Sequence, residues 1–356
     1  MTNRLIAYLI LFSPVLYSCT RDNSEIRVAC ERNTVGDYLL KWETYPPMEG
    51  TVKIYESSKP DVFNTQTPVA KQDINSGYIV IPSKFLEPRQ YFKLVFNKKH
   101  PIITAERIIL TDGLYNLRDI GGYCDKNKSP IQWGKLYRSS TMYNATERDV
   151  ETLDDLGIKT LIDLRSNREN DIAPPKYRAP HTFNVPLGDS NPASFVNKIT
   201  YEEMKRGDVF VALQDVQMEI LHKNTNQFIR IFDILLDENN YPVIIYCSWG
   251  NDRTGLVISL VLSALDIPYE QILQDYMLSN NYINFNYILP DGDLYETSVQ
   301  KGLTALFSSH EEVLNYVFDE INKEYGSVNN YLEKELHLTS KKQEKLKNLL
   351  LDLKAE

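Results

Sequence analysis

The chain lacks the features that mark several large classes of protein. Its 356 residues include four cysteines and five scattered histidines, with no Cys/His cluster at the spacing of a zinc site, so we expect no metal centre. The 15 glycines and 17 prolines are spread thinly, which excludes collagen-like and low-complexity sequence. There is no basic run and the formal net charge is −9, so binding to nucleic acid, which needs a basic face, is not expected.

What remains is the composition of a globular protein. Hydrophobic residues make up 42% of the chain and charged residues 24%. A single hydrophobic core rarely grows beyond roughly 250–300 residues. The length therefore predicts two or three domains.

The N-terminus has the pattern of an export signal. Arg4 precedes an apolar stretch over residues 5–17, which is shorter than the roughly 20 residues needed to span a bilayer. The stretch ends in LYSC (residues 16–19), which resembles the lipobox of bacterial lipoproteins, and a plain signal peptide or uncleaved anchor is the alternative. The resemblance implies a signal peptide over residues 1–18, lipidation of Cys19, a tether over 19–24, and an exported, membrane-anchored protein in the outer membrane or facing the periplasm.

Residues 25–111 alternate short apolar runs with turn-rich pieces. Six or seven short strands at this spacing predict an all-β sandwich. Trp42, followed by the run TVKIYES, resembles the strand pair of a fibronectin type III or similar immunoglobulin-like module. No polar cluster here suggests chemistry, so we expect a spacer or docking domain. The predicted strands are IRVAC, YLLKWETY, TVKIYES, YIVIP, YFKLVF and AERIIL.

From residue 112 to 356, strand-like runs alternate with helical ones. Four strand-like runs lie among helical patterns around residues 146–156, 213–236 and 255–265. This alternation predicts an α/β domain with a mostly parallel sheet flanked by helices.

One loop of this domain carries the chemistry. A buried strand, YPVIIY, leads into CSWGNDR and then into an apolar helix, so Cys247 and Arg253 flank a strand–loop–helix turn. Such a turn directs backbone N–H groups and the positive end of a helix dipole at one point, where an anion of phosphate size fits. The predicted phosphate-binding residues are Ser248, Trp249, Gly250, Asn251, Asp252 and Arg253.

The residue types around this loop suit nucleophilic catalysis. A thiolate at Cys247, favoured by the helix end and by Arg253, would attack phosphorus, although Cys247 is alternatively a small buried hydrophobe. Arg253 offers a planar fork for the phosphoryl oxygens, and Thr254 a hydroxyl for the sulfur. The general acid is Asp252, or alternatively Asp163 at a predicted strand end, whose other reading is an ion-pair partner of an arginine.

At these residues the chain resembles a known family. CSWGNDRTG is similar to the phosphate-binding loop Cys-x-x-Gly-x-Asp-Arg-Thr-Gly of the atypical bacterial dual-specificity tyrosine/serine phosphatases, which are cysteine-dependent. Three further motifs occur in the family's order, namely NLRDIGG (116–122), LYRS (136–139) and IDLRS (162–166). The resemblance implies hydrolysis of phosphotyrosine, phosphoserine or phosphoinositide monoesters through a phosphocysteine intermediate, without a cofactor, and a helical lid at about residues 189–240.

Two departures from the family pattern keep other functions open. Tyr246 stands where relatives carry His, and Asn251 where many carry Lys, which the family links to polyanionic lipid head groups. The second hypothesis is therefore a catalytically inactive lipoprotein that binds phosphate or a partner. Sulfur transfer or arsenate reduction, which also use cysteine loops, is a third. The substrate is a phosphorylated protein, a phospholipid or a small phosphate ester.

Two further pairs of residues carry expectations. Arg118 and Asp119 are expected to be a structural pair near the pocket, with a catalytic role as the alternative. Cys30 and Cys124 are the pair left for a disulfide if Cys19 is lipidated, but they lie in different predicted domains.

Overall fold

The N-terminal strands form two antiparallel sheets. The computed structural model describes residues 25–83, 89–188, 192–282 and 292–353, so the predicted signal peptide, the tether and Cys19 lie outside the described part. The strands are β1 (Glu25–Arg32), β2 (Tyr38–Tyr45), β3 (Thr51–Ser57), β4 (Ala70–Asp73), β5 (Tyr78–Ile81), β6 (Tyr91–Phe96) and β7 (His100–Ala105). Their orders in the two sheets are β1-β2-β5 and β4-β3-β6-β7.

The two sheets share one hydrophobic core. Alternate residues of each strand point inward, as in β1, where Ile26 and Val28 are buried between half-exposed neighbours. Trp42 is 4% exposed, and its indole N–H donates to the carbonyl of Ile74 at 2.7 Å. Cys30 also lies in this core as a free thiol, so it does not bridge to Cys124.

The last strand of this region differs from the prediction. The sequence placed it at AERIIL (residues 105–110), whereas β7 ends at Ala105 and contains Pro101. Proline removes a ladder donor and is tolerated on an edge strand, and β7 is the edge of its sheet. The short strand β4 was not predicted, because its sequence AKQD has no apolar pattern.

The remaining strands form one mostly parallel sheet, as predicted. They are β8 (Arg118–Asp119), β9 (Leu136–Ser139), β10 (Thr160–Asp163), β11 (His181–Asn184) and β12 (Val243–Tyr246). The order is β11-β10-β12-β9-β8, and every pairing is parallel except the antiparallel β8–β9 pair. In this register Tyr246 lies beside Asp163 on one side and Ser139 on the other, so three strand ends meet at one edge.

Helices pack against this sheet and beside it. They are α1 (Glu147–Asp155), α2 (Asn167–Ile172), α3 (Pro192–Thr200), α4 (Arg206–Lys223), α5 (Thr225–Leu235), α6 (Asp252–Ala264), α7 (Tyr269–Leu278), α8 (Thr297–Phe307), α9 (Glu311–Tyr325), α10 (Val328–Lys334) and α11 (Ser340–Leu350). The helical pattern at 213–236 is two helices that meet at Asn224. Among the described residues, no helix combines the length and the apolar character needed to cross a membrane.

The region expected to form a lid contains α3, α4 and α5. Apolar residues of α3 and α4 pack with α8 in a separate small core that includes Ile199, Val209 and Leu303. This core is distinct from the main one around α6, which is buried along almost its whole length.

Candidate active site

The Cys247 loop (residues 247–253) joins the central strand β12 to helix α6. Since β12 lies between β10 and β9, the loop starts where the carboxyl ends of three parallel strands meet. Cys247 follows the strand directly and is 3% exposed. Helix α6 begins at Asp252, so the positive end of its dipole faces the loop.

The peptide after Gly250 has a fixed orientation. The carbonyl oxygen of Gly250 accepts hydrogen bonds from the Arg138 guanidinium at 2.6 Å and from the Asn116 amide at 3.1 Å. In a planar trans peptide the carbonyl and the following N–H point in opposite directions. The N–H of Asn251 therefore points away from Arg138 and Asn116.

A second peptide of the loop is held in the same way. The carbonyl oxygen of Ser248 accepts from the backbone N–H of Thr141 at 3.3 Å, so the N–H of Trp249 points away from Thr141. Within the described part of the chain, no group accepts a hydrogen bond from the backbone N–H groups of residues 248–251. Together with the N–H groups at the start of α6, which point along the helix axis toward the loop, they make a cradle suited to an oxyanion.

Glycine is required at position 250. Gly250 has φ +71, and a Cβ there would lie 2.5 Å from the carbonyl oxygen of Ser139 and 2.9 Å from the backbone nitrogen of Ser140. Real side chains do not fit at such distances, and positive φ is also unfavourable for them. The loop can therefore approach β9 only with glycine at this position.

A network of buried charged side chains holds the Gly250 peptide of the loop. Asp275, on α7, forms ion pairs with Arg138 at 2.6 Å and with Arg118 at 3.1 Å, and all three side chains are at most 1% exposed. Arg118 also donates to Asn116, which binds Gly250. Burial alone would raise the pKa of Asp275, but the charges of the two arginines hold it below its usual range.

Arg253 is held by a carboxylate that the sequence analysis did not identify. Glu169 accepts from Nη1 and Nη2 of Arg253, both at 2.7 Å, and from the Ser248 hydroxyl at 2.6 Å. Burial would raise the pKa of Glu169, but the hydrogen bonds and charge of Arg253 lower it to about 2. Nη2 of Arg253 also donates to the Ser248 hydroxyl at 3.3 Å, and no described residue accepts a hydrogen bond from Nε, so the Nε N–H remains for an anion.

The local fold explains why Glu169 reaches this position. Ser166 is the N-cap of α2, and Glu169 is the third residue of that helix. The Ser166 side chain accepts from the Glu169 N–H, and the Glu169 carboxylate accepts from the Ser166 N–H at 2.9 Å. The pattern Ser-x-x-Glu after the strand IDLR was therefore the available signal.

Asp163 is fully engaged by its neighbours. It forms an ion pair with Arg165 at 2.8 Å and accepts the hydroxyl hydrogen of Tyr246 at 2.7 Å. Burial and the charge of Asp163 raise the pKa of Tyr246, so its hydroxyl stays a donor. Tyr246 thus contacts Asp163, and Asp163 does not reach Arg253 through any ion pair among the described residues.

Asp252, unlike Asp163, accepts no hydrogen bond from another residue in the described ranges. Desolvation raises the pKa of Asp252 to about 6, although the charge of Arg253 opposes this shift. A carboxyl group with this pKa holds a proton in part of the molecules near neutral pH. The hydroxyl of Thr254 is buried without a partner in the described structure, so the expected bond to the Cys247 sulfur is not present here.

Two loop side chains contact helix α8, which packs against α3 and α4. The Asn251 amide donates to the carbonyl of Phe307, the last residue of α8, at 3.0 Å, and Asn251 is 2% exposed. The Trp249 ring packs edge-on against the Phe307 ring, with centroids 5.8 Å apart. Only the backbone N–H of Asn251 is therefore available to a ligand.

Comparison with known proteins agrees with this geometry. The profile described as the tyrosine phosphatase family matches residues 109–352. The chain belongs to the tyrosine phosphatase family. The match covers the Cys247 loop and all of the strands from β8 to β12.

Individual curated relatives of this phosphatase are about one quarter identical to it over the aligned residues. A Cupriavidus necator protein named as a tyrosine-protein phosphatase is 24% identical over 230 residues, covering 64% of this chain and 83% of the relative. The triple specificity protein phosphatase PtpB of Mycobacterium tuberculosis is 28% identical over 196 residues, which cover 48% of this chain and 68% of PtpB. The crystal structure of the core catalytic domain of the PP-IP phosphatase SIW14 from S. cerevisiae has 14% identity, covers 63% of this chain and 96% of its own, and has a TM-score of 0.28.

The contact between Glu169 and Arg253 predicts the effect of Glu169→Gln. The variant loses the carboxylate charge and one of its two hydrogen bonds to Arg253. A hydrogen bond to a charged group contributes about 1.5–3 kcal/mol. We expect kcat/KM for a chromogenic phosphomonoester to fall about 10–100-fold, and orthovanadate to bind more weakly. Glu320→Gln is the matched control, because Glu320 is a half-buried carboxylate paired with Lys323 on α9. Tighter vanadate binding in Glu169→Gln would show instead that the carboxylate occupies the place of the phosphate.

Proposed function

We propose that this phosphatase hydrolyses phosphomonoesters through a phosphocysteine intermediate. The proposal rests on the Cys247 loop, which has the nucleophile at one end and Arg253 at the other. Between them lie backbone N–H groups from which no described residue accepts a hydrogen bond. The intact set of Cys247, Asp252 and Arg253 also argues against a purely phosphate-binding protein.

The reaction proceeds in two steps. The Cys247 thiolate attacks phosphorus, the ester P–O bond breaks, and the leaving oxygen takes a proton. Water then attacks the phosphocysteine and gives up a proton, and the S–P bond breaks to return the thiolate and inorganic phosphate. Arg253 and the N–H cradle stabilise the phosphoryl oxygens in both steps.

We assign the proton transfers to Asp252. Its raised pKa allows it to donate in the first step and to accept in the second. Asp163, held by Arg165 and Tyr246, then positions the strand end beside the loop without exchanging protons with substrate. The hydroxyl of Thr254, which has no hydrogen-bond partner among the residues that the structure describes, is available to stabilise the departing sulfur.

We propose phosphotyrosine and phosphoserine proteins as the substrate class. PtpB bears the name of a triple specificity protein phosphatase, which supports activity on more than one type of phosphorylated residue. The uncharged, buried Asn251 side chain gives no additional cation for multiply phosphorylated inositol lipids. Phosphoinositides are therefore the less favoured substrates.

We further propose that the enzyme is an exported lipoprotein. The lipobox-like sequence at residues 16–19 supports lipidation of Cys19 and location in the outer membrane or facing the periplasm. We propose that the three-plus-four-stranded sandwich of residues 25–111 is a fibronectin type III-like module. We also propose that α3 and α4, within the lid region of residues 189–240, cover the site, whereas α5 packs into the main core.

The first prediction concerns the nucleophile. Cys247→Ser should retain the fold and bind orthovanadate through the loop N–H groups and Arg253, but should not turn over, because a serine hydroxyl stays protonated. The measurement is hydrolysis of a chromogenic phosphomonoester, which in the wild type should be insensitive to chelators and inhibited by vanadate. Substantial turnover by Cys247→Ser would rule out the phosphocysteine intermediate.

The second prediction separates the two aspartates. A positioned general acid contributes roughly 10²–10⁴-fold, so Asp252→Asn should lose about this factor with alkyl phosphates and much less with esters of acidic phenols. In the wild type, kcat/KM for alkyl phosphates should fall as the pH rises above about 6, because Asp252 loses its proton there, and Asp252→Asn should not show this fall. Asp163→Asn should lose activity equally for all leaving groups. A leaving-group dependence that appears only in Asp163→Asn would reverse the assignment.

The third prediction concerns the anchor. In a Gram-negative host, the full-length protein should incorporate labelled palmitate and fractionate with membranes, whereas Cys19→Ser should do neither. Ser18→Ala is the control, since it keeps a small residue before the cysteine. Membrane-bound, palmitate-labelled Cys19→Ser protein would contradict lipidation at this residue.

A further inference from the structure

An arginine from the sandwich neutralises a buried carboxylate of the phosphatase domain. Arg89, just before β6, donates to Asp119 on β8 at 2.6 Å, and the Asp119 side chain is fully buried. The same carboxylate accepts from the backbone N–H groups of Gly121 at 2.7 Å and Gly134 at 2.8 Å. Arg89 is its only cationic side-chain partner among the described residues.

Aromatic packing surrounds this ion pair. Trp133 shares a small core with Tyr91 and Ala105 of the sandwich, and its indole N–H donates to the carbonyl of Ile103 at 3.1 Å. A Cβ at Gly122 would lie 2.5 Å from the Trp133 ring, so glycine lets the ring pack closely. The joint between the sandwich and the phosphatase domain is therefore a packed interface and not an extended linker.

The ion pair lies one residue from the network beneath the Cys247 loop. Arg118 and Asp119 are successive residues of β8, so their side chains point to opposite faces. For this reason they form no ion pair with each other, and each has its own structural partner. Asp119 faces Arg89, while Arg118 binds Asp275 and Asn116, and Asn116 holds the carbonyl of Gly250.

We propose that Arg89 is a positioning residue of the active site, supplied by the sandwich. By fixing Asp119 it fixes β8, and through Arg118 and Asn116 it fixes the orientation of the Gly250 peptide. The sandwich is then a working part of the phosphatase and not a spacer. The activity readout rests on the proposed function, but binding of orthovanadate does not.

Removal of Arg89 should have a specific consequence. An isolated carboxylate is costly to bury, so Asp119 would be protonated, solvated or moved. Arg107 does not replace Arg89, because it donates to the backbone carbonyl of Asp119, at 2.6 Å, and not to the carboxylate.

The test uses the full chain and four variants. Arg89→Met removes the charge, Arg89→Lys keeps it, and Arg89→Met with Asp119→Asn removes both charges of the pair. Arg32→Met is the matched control, because Arg32 forms a sandwich ion pair with Glu106 and has no ion pair to the phosphatase domain within the part of the chain that the structure describes. The measurements are the melting temperature, the vanadate dissociation constant by calorimetry, and kcat and KM for a chromogenic phosphomonoester.

We expect Arg89→Met to melt roughly 5–10 °C lower and to bind vanadate about tenfold more weakly. Arg89→Lys should recover most of both losses. The doubly neutral variant should regain melting temperature but not vanadate affinity, because the strand is no longer fixed. Arg32→Met should leave vanadate affinity unchanged.

Two results would overturn the proposal. One is vanadate affinity within twofold of wild type in Arg89→Met, whatever its melting temperature. The other is full recovery of affinity in the doubly neutral variant, which would show that only charge balance matters. If Arg89→Met does not fold, the doubly neutral variant decides alone: weakened vanadate binding supports the proposal, and affinity within twofold of wild type overturns it. Failure of the wild type to hydrolyse phosphomonoesters while binding vanadate would count against the proposed function alone.

Discussion

Arg138 donates a hydrogen bond to the carbonyl oxygen of Gly250, and the geometry of the Cys247 loop depends on this bond. The bond turns the N–H of Asn251 toward the position of an anion. Position 250 must be glycine because the loop backbone there lies against β9. A buried arginine can do this only with a counter-charge, which Asp275 supplies. The network thus uses charge inside the protein to hold neutral backbone groups in place for a charged ligand.

The parts of the site that are contiguous in the chain could be predicted from the sequence. A strand, a loop and a helix follow one another within residues 241–265, and their residue types indicate both the cradle and the nucleophile. The parallel sheet was equally accessible, because apolar strand-like runs alternate with helical ones. In the sandwich, period-two alternation identified most strands, and it failed for β4, which is polar, and for β7, which contains a proline.

The supporting side chains could not be predicted in this way. Glu169 is 84 residues from Arg253 and Asp275 is 137 residues from Arg138, so their pairing depends on how α2 and α7 pack. The sequence contains the residues but not the distances between them. Asp163 shows the same limit, since a carboxylate at a strand end is compatible with proton transfer until Arg165 and Tyr246 are seen to hold it.

The ion pair between Arg89 and Asp119 also has a consequence for how such proteins evolve. Domains that are joined only by a linker can be exchanged by recombination, because each brings a complete core. Here a sandwich transferred to another protein would carry Arg89 without its carboxylate partner. The remaining phosphatase domain would bury the Asp119 carboxylate without a cation. The two parts can therefore be inherited separately only if one of them first changes the residue that the other neutralises.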